Sequence, residues 1–79
     1  MRKNLDKNLL LLGERIRRMR QKCCLSQKKL AFDAGLDRSY VGGIERGERN
    51  ITFRSLCLIA QALKTDVGSL TTGLPRGER

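Results

Sequence analysis

Seventy-nine residues make one domain and no more, because two separate cores would each need at least about fifty residues; a multidomain enzyme is excluded. Seventeen Lys and Arg against eight Asp and Glu leave a formal charge of +9, with no His, so the surface is positive across physiological pH and a polyanion is the default partner. Thirteen Leu against six Val and Ile and three aromatic residues favour small helices packed on one another over a sheet.

Taken in chain order, Leu9, Leu12, Ile16 and Met19 recur at three- and four-residue intervals and predict an amphipathic helix from about Lys7 to Lys22. Ser26 can cap a second helix, Gln27 to Ala34, with Leu30, Ala31 and Ala34 as its apolar stripe and Gly35 as a left-handed stop. Asp37 is the expected N-cap of a third helix, Arg38 to Arg46, in which Val41 and Ile44 face inward and Gly47 terminates. Thr52 caps a fourth, Phe53 to Lys64, whose inward face is read as Phe53, Leu56, Cys57, Ala60 and Leu63. Leu58, Ile59 and Ala62 extend its apolar character around the helix, more than one core needs. Asp66 caps a short fifth helix to about Thr72, after which Gly73, Pro75 and Gly77 break the pattern. The expected organisation is a flexible N-terminus over 1–6, one domain over 7–73 and a flexible tail over 74–79.

Nothing approaches the 18 apolar residues of a membrane span, and the segment from Met1 to Leu12 lacks the apolar length and cleavage site of a signal peptide. A cytoplasmic protein is expected. Cys23 and Cys24 are adjacent and Cys57 stands alone, which is not the even, spaced set of a secreted disulfide framework. Three thiols without His do not complete a zinc site, so no metal or cofactor is expected. The thiols read as buried small apolar residues; an exposed pair at a helix end would instead be open to redox chemistry.

The stretch from Ser26 to Gly47, a capped helix, a glycine turn and a second short helix, has the layout of a helix-turn-helix. The wording is more specific. LGERIRRMR at Leu12 to Arg20, LSQKKLA at Leu25 to Ala31 and LDRSYVGGIERGERN at Leu36 to Asn50 resemble the Xre and phage-repressor type of DNA-binding domain. With ITFRSLCLIAQAL following, the last segment is particularly similar to the controller proteins of restriction-modification systems. The resemblance covers about sixty residues. It implies an all-helical, five-helix bundle of the lambda-repressor type that works as a homodimer. The third helix would lie in the major groove of double-stranded operator DNA, with the last helices at the dimer interface. It also admits RNA polymerase as a partner, and no membrane.

Carried over residue by residue, Arg38, Ser39 and Tyr40 would contact bases, and Gln27, Arg46, Arg49, Asn50 and Ser55 would brace the sugar-phosphate backbone. Chemistry supports these roles. A guanidinium at the start of a recognition helix offers two parallel donors to guanine O6 and N7, and Gln27 sits at a helix start with free backbone N–H groups. Against this, Arg38 also reads as a solvated first-turn residue and Tyr40 as a core aromatic. Glu45 would repel phosphate and is expected to pair with Arg20 inside the domain. The run from Arg15 to Lys29 holds seven basic residues and no acid, and is either a DNA flank or an ordinary solvated face.

Two features depart from the family's pattern. Cys24 stands where relatives usually place Gly, and is strained if the chain turns left-handed there. Gly42 and Gly43 lie inside the recognition helix at a cost of about 1 kcal/mol each relative to Ala, and Gly43 occupies a position where many repressors carry a base-contacting side chain. Fewer direct base contacts leave more of the specificity to DNA shape. The function expected is an autoregulating transcriptional regulator that binds near-palindromic operators. A phage-type repressor outside restriction-modification and a protein-binding adaptor such as an antitoxin remain the alternatives. With no His, no phosphate loop and no cysteine beside a base, an enzyme is not expected.

Overall fold

A computed structural model describes residues 6–76 as five helices: α1 Lys7–Lys22, α2 Gln27–Ala34, α3 Arg38–Glu45, α4 Phe53–Ala62 and α5 Val67–Thr71. No strand occurs among the described residues, and none of the helices is long and apolar enough to cross a membrane. The expectations for residues 1–5 and 77–79 lie outside the described residues.

Each helix start is the one its sequence signals. The Asp6 carboxylate accepts from the amides of Asn8 and Leu9, Ser26 Oγ from Lys29, Thr52 Oγ1 from Ser55, and Asp66 from Ser69. These bonds satisfy amides that a helix leaves without partners. The Ser69 backbone amide, helped by its hydroxyl, holds the Asp66 carboxyl below its ordinary value. Asp37 departs from the expectation: it occupies the N-cap position of α3 but makes no side-chain cap bond. Its carboxylate instead accepts the Ser39 hydroxyl at 2.6 Å.

The first four helices end in one way. At the end of α1, Leu25 N donates to Arg20 O and Cys24 N to Gln21 O; the same pair of bonds recurs after α2, α3 and α4. This is the Schellman closure, which places the residue after the cap in the left-handed region. Gly35 and Gly47 hold that position with φ of 70° and 75°, whereas Cys24 and Lys64 take it as non-glycine residues, at 57° and 59°. The same closures account for helix lengths. α3 stops one residue and α4 two residues before the expected ends, because Gly47 and Lys64 already turn the chain.

The α-helices form a closed circuit: α1 packs on α3 and α5, α2 on α3 and α4, and α4 on α5. Ile16, Leu30, Val41, Ile59 and Leu70, one from each helix, are the fully buried large side chains at its centre. Each such burial stabilises by about 1.5–3 kcal/mol. The inward face of α4 differs from the expectation. Ser55, Leu56, Ile59 and Ala60 are buried on α4, with Leu63 just beyond it, whereas Phe53 is 70% exposed. At about 100° per residue the buried residues share one arc, and Phe53 and Cys57 fall beyond its edge. The cysteines also depart from the burial expected of them: Cys23 and Cys24 are exposed and Cys57 is half-buried. The first two lie in the closing turn of α1, past its last core-facing position.

One contact governs how α1 meets α3. Gly13 is buried, and a Cβ there would collide with the Ile44 carbonyl oxygen and lie 2.7 Å from that of Glu45. Only glycine lets the two backbones come this close. At the opposite side of α1, Arg15 Nη1 donates to Leu70 O at 3.2 Å and Thr72 O at 2.6 Å, closing carbonyls that α5 leaves free. Beyond α5, Leu74 packs on the core and the Arg76 amide donates to Asn8 Oδ1.

A left-handed residue with a Cβ costs about 1 kcal/mol. Cys24→Gly is therefore expected to raise the unfolding free energy by about 1 kcal/mol in urea titration; an unchanged or lowered value would show that Cys24 is not strained.

Candidate nucleic-acid interface

The interface is assembled around a buried ion pair. Arg20 Nε donates to Glu45 Oε2 at 2.6 Å and Arg20 Nη2 to Oε1 at 3.1 Å. The Glu45 side chain is 1% exposed and that of Arg20 12%. Gln27 Nε2 adds a third donor to Glu45 at 3.0 Å, and Arg20 Nη1 binds Leu25 O at 2.8 Å. One carboxylate thus fixes the end of α1, the start of α2 and the end of α3 to one another. The expected Arg20–Glu45 pairing is present, and Gln27 belongs to it as well, which the sequence did not reveal.

This arrangement presents the start of α3 beside the start of α2. Arg20, Ser26, Gln27, Lys28 and Arg38 line an open depression of about 540 Å³ between them. Arg38 is exposed at the first position of α3, free to extend from the surface. Ser39 beside it is exposed, with its hydroxyl donated to Asp37. Gln27 commits one N–H of its amide nitrogen to Glu45, so the donors it leaves toward a ligand are the second N–H of Nε2 and the backbone amides of the helix start.

A second group forms where α3 meets the start of α4 and the loop between them. Tyr40 is half-buried; its hydroxyl donates to Ser55 Oγ at 3.2 Å, and Thr52 Oγ1 donates to the same oxygen at 3.0 Å. The Arg49 guanidinium lies over the Tyr40 ring, 5.5 Å from its centroid. Such an exposed cation–π contact is worth about 0.5–1 kcal/mol. Ser55 is only 8% exposed, so it stands beneath Tyr40 as its support. Arg46 is exposed and pairs with Glu48 at 3.0 Å, and Asn50 is exposed in the same loop. The eight residues singled out from the sequence therefore fall into two sets. Gln27, Arg38 and Ser39 cluster at the starts of α2 and α3, while Tyr40, Arg46, Arg49, Asn50 and Ser55 belong to the α3–α4 side. Lys28 and Thr52 join these sets; the first was legible only as one cation in a run, the second only as a cap.

That run does not form one face. Arg15 is spent on α5, Arg18 pairs with Glu14, Arg20 with Glu45 and Lys29 with Asp33. Arg17, Lys22 and Lys28 are the exposed remainder. A run with seven basic residues thus contributes three cations to the outer field, because a helix distributes consecutive residues around its axis.

Two helices joined by a left-handed glycine turn, the second with an exposed arginine at its start, define a helix-turn-helix of the DNA-reading class. The family model described as "Helix-turn-helix" matches residues 16–70. The control protein C.SmaI of Serratia marcescens is 45% identical over 62 residues, covering 78% of this chain and 74% of the relative. The crystal structure of the restriction-modification controller protein C.AhdI from Aeromonas hydrophila superposes with a TM-score of 0.81 at 45% identity, covering 82% of this chain and 98% of that one. A further structure, the controller protein C.Esp1396I as a tetramer on its natural 35-base-pair operator, matches with a TM-score of 0.77 at 34% identity, over 82% of this chain and 86% of that one. The chain belongs to the helix-turn-helix family and, within it, to the controller proteins of restriction-modification systems.

Removing one partner of a buried ion pair leaves an uncompensated charge and typically costs about 3–5 kcal/mol. Arg20→Met is expected to lower the unfolding free energy by that amount, and the double variant Arg20→Met/Glu45→Leu to recover most of it. A single-variant loss below about 1 kcal/mol, the scale of a surface pair, would contradict the role given to this bridge.

Proposed function

We propose that the protein is a sequence-specific transcriptional regulator that binds near-palindromic operators as a homodimer in the cytoplasm, controls its own transcription and times that of an accompanying endonuclease. The observation that carries this reading is the exposed Arg38 at the start of α3, held beside the start of α2 by the buried Arg20–Glu45 bridge. In that position α3 enters the major groove with its first residues toward the bases. Arg38 reads guanine through O6 and N7; Ser39 and Tyr40 contact neighbouring base edges.

Gln27, with the free amides of the α2 start, holds one phosphate. Arg46, Arg49 and Asn50 brace the backbone on the other side, and Ser55 takes part by fixing Tyr40. RNA polymerase is a further proposed partner, and no catalytic step belongs to the function.

One domain covers too few bases for strong specificity, so a dimer with half-sites about one helical turn apart is part of the proposal. Its interface is assigned to α4, α5 and the segment just after them, where Leu58, Ala62, Val67 and Leu74 are only partly covered by the domain's own core. The relatives' operator assembly supports this reading.

Two experiments test it. In gel-shift titrations on DNA from upstream of the protein's own gene, Arg38→Ala is expected to lose about 1–3 kcal/mol of binding, concentrated at one base pair of each half-site. For a dimer making about eight phosphate contacts the log–log salt slope is expected near −7. A uniform loss across all sequences would remove Arg38 from base reading. Leu58→Asp is expected to shift the protein to monomer in analytical ultracentrifugation and weaken operator binding in parallel; a dimer unaffected by that change would place the interface elsewhere.

A further inference from the structure

Two adjacent glycines leave part of the second turn of the recognition helix without side chains, yet its surface there is not bare. Gly42 and Gly43 are both buried, covered by residues that come from outside α3. A Cβ built on Gly42 would meet Arg46 Nη1 at 3.2 Å and Gln27 Oε1 at 3.4 Å. One built on Gly43 would lie 2.7 Å from Arg49 Cγ and 3.0 Å from Arg49 Nε. The two positions differ in what would have to move. Over Gly42 the Gln27 oxygen stands at ordinary contact distance and stays on its bridge, and only the tip of Arg46 has to give, by a few tenths of an ångström. Over Gly43 the neighbour is the stem of Arg49, whose guanidinium is at the same time stacked on Tyr40, while the Tyr40 hydroxyl is tied to Ser55 and through it to Thr52 at the start of α4. Arg49 is thus held from below by Gly43 and at its head by an anchored ring.

The backbone reinforces this placement. Glu48 N donates to Gly43 O at 2.9 Å and Gly47 N to Ile44 O at 3.0 Å. The loop therefore turns back over α3 immediately before Arg49. Ser39 and Gly43 are four residues apart and share one face of α3, so the stem of Arg49 lies where a side chain at position 43 would continue the face that Ser39 begins.

We propose that Gly43 is a positioning residue for DNA binding: the missing side chain is the seat of Arg49, which supplies from the following loop the cation that the second turn of α3 does not carry. The inference rests on the operator-binding function proposed above and adds to it why a glycine that weakens the helix stands at this place. Helix propensity alone favours alanine at both positions. By this account only Gly42 is free to accept it.

The test is a double-variant cycle on the operator. Arg49→Ala is expected to weaken binding about tenfold and to reduce the magnitude of the salt slope by about one, the signature of one lost phosphate contact. Gly43→Ala is expected to do the same although it removes no charge, and Gly43→Ala/Arg49→Ala to bind as weakly as either single variant. Gly42→Ala is expected to bind like the unaltered protein. Melting temperatures read the seat independently of DNA: Gly43→Ala/Arg49→Ala is expected to melt above Gly43→Ala, because removing the stem relieves the collision.

Should Gly43→Ala itself fail to fold, the double variant still bears on the proposal through its comparison with Arg49→Ala. Wild-type affinity and slope for Gly43→Ala, or a hundredfold loss in the double variant, would overturn the inference while leaving operator binding intact. Unaltered protein that binds no operator in the same titration would instead overturn the proposed function.

Discussion

The arrangement of this domain depends on one buried carboxylate. Glu45 lies at the end of α3 and takes three donors, two from Arg20 on α1 and one from Gln27 on α2. A charge removed from water this completely is tolerable only where partners satisfy it, so the pair holds only when α1, α2 and α3 meet in a single geometry. Apolar packing alone is less selective, since small helices tolerate many mutual positions at similar burial. Gly13 supplies the other half of the constraint by letting the α1 backbone touch the carbonyls of Ile44 and Glu45. Together they fix how α3 sits against α1 and α2, and the proposed reach of Arg38 to a base depends on that placement.

Chain direction is controlled by repetition of one local device. Four helices close with the same pair of backbone bonds, and each closure needs a left-handed residue. Two of these are glycines and two are not, so the turn after α1 is formed against the preference of Cys24. The Arg20 guanidinium on the Leu25 carbonyl helps hold that turn. The same arginine that bridges to Glu45 thereby also fixes the approach to α2.

Much of this was legible in the residues. α2 matches its expected span because apolar spacing, the Ser26 cap and the Gly35 stop coincide there, and α1 matches on its apolar spacing alone. The Arg20–Glu45 pair could be inferred because an acid on a phosphate-facing helix needs a reason. What stayed hidden was information carried by tertiary contact. A glycine at position 13 reads locally as a defect in a helix and becomes intelligible only against the α3 carbonyls. Phe53 fits an apolar stripe by spacing and lies at the edge of the arc that the neighbouring helices cover. Asp37 stands at a cap position and spends its carboxylate on Ser39. The basic run from Arg15 to Lys29 looked like one surface, although four of its members turn to partners within the chain.

α3 is short and carries little of its own chemistry beyond its first three residues, so the recognition proposed here is distributed over the α2 start, the α3 start and the loop that follows. The central claim is that two copies of this α3 enter successive major grooves and read guanine. Protection of guanine N7 from methylation across the operator tests it most directly, because N7 opens only into the major groove. The account predicts protected guanines in two symmetric half-sites about one helical turn apart. Guanines methylated equally with and without bound protein would contradict it.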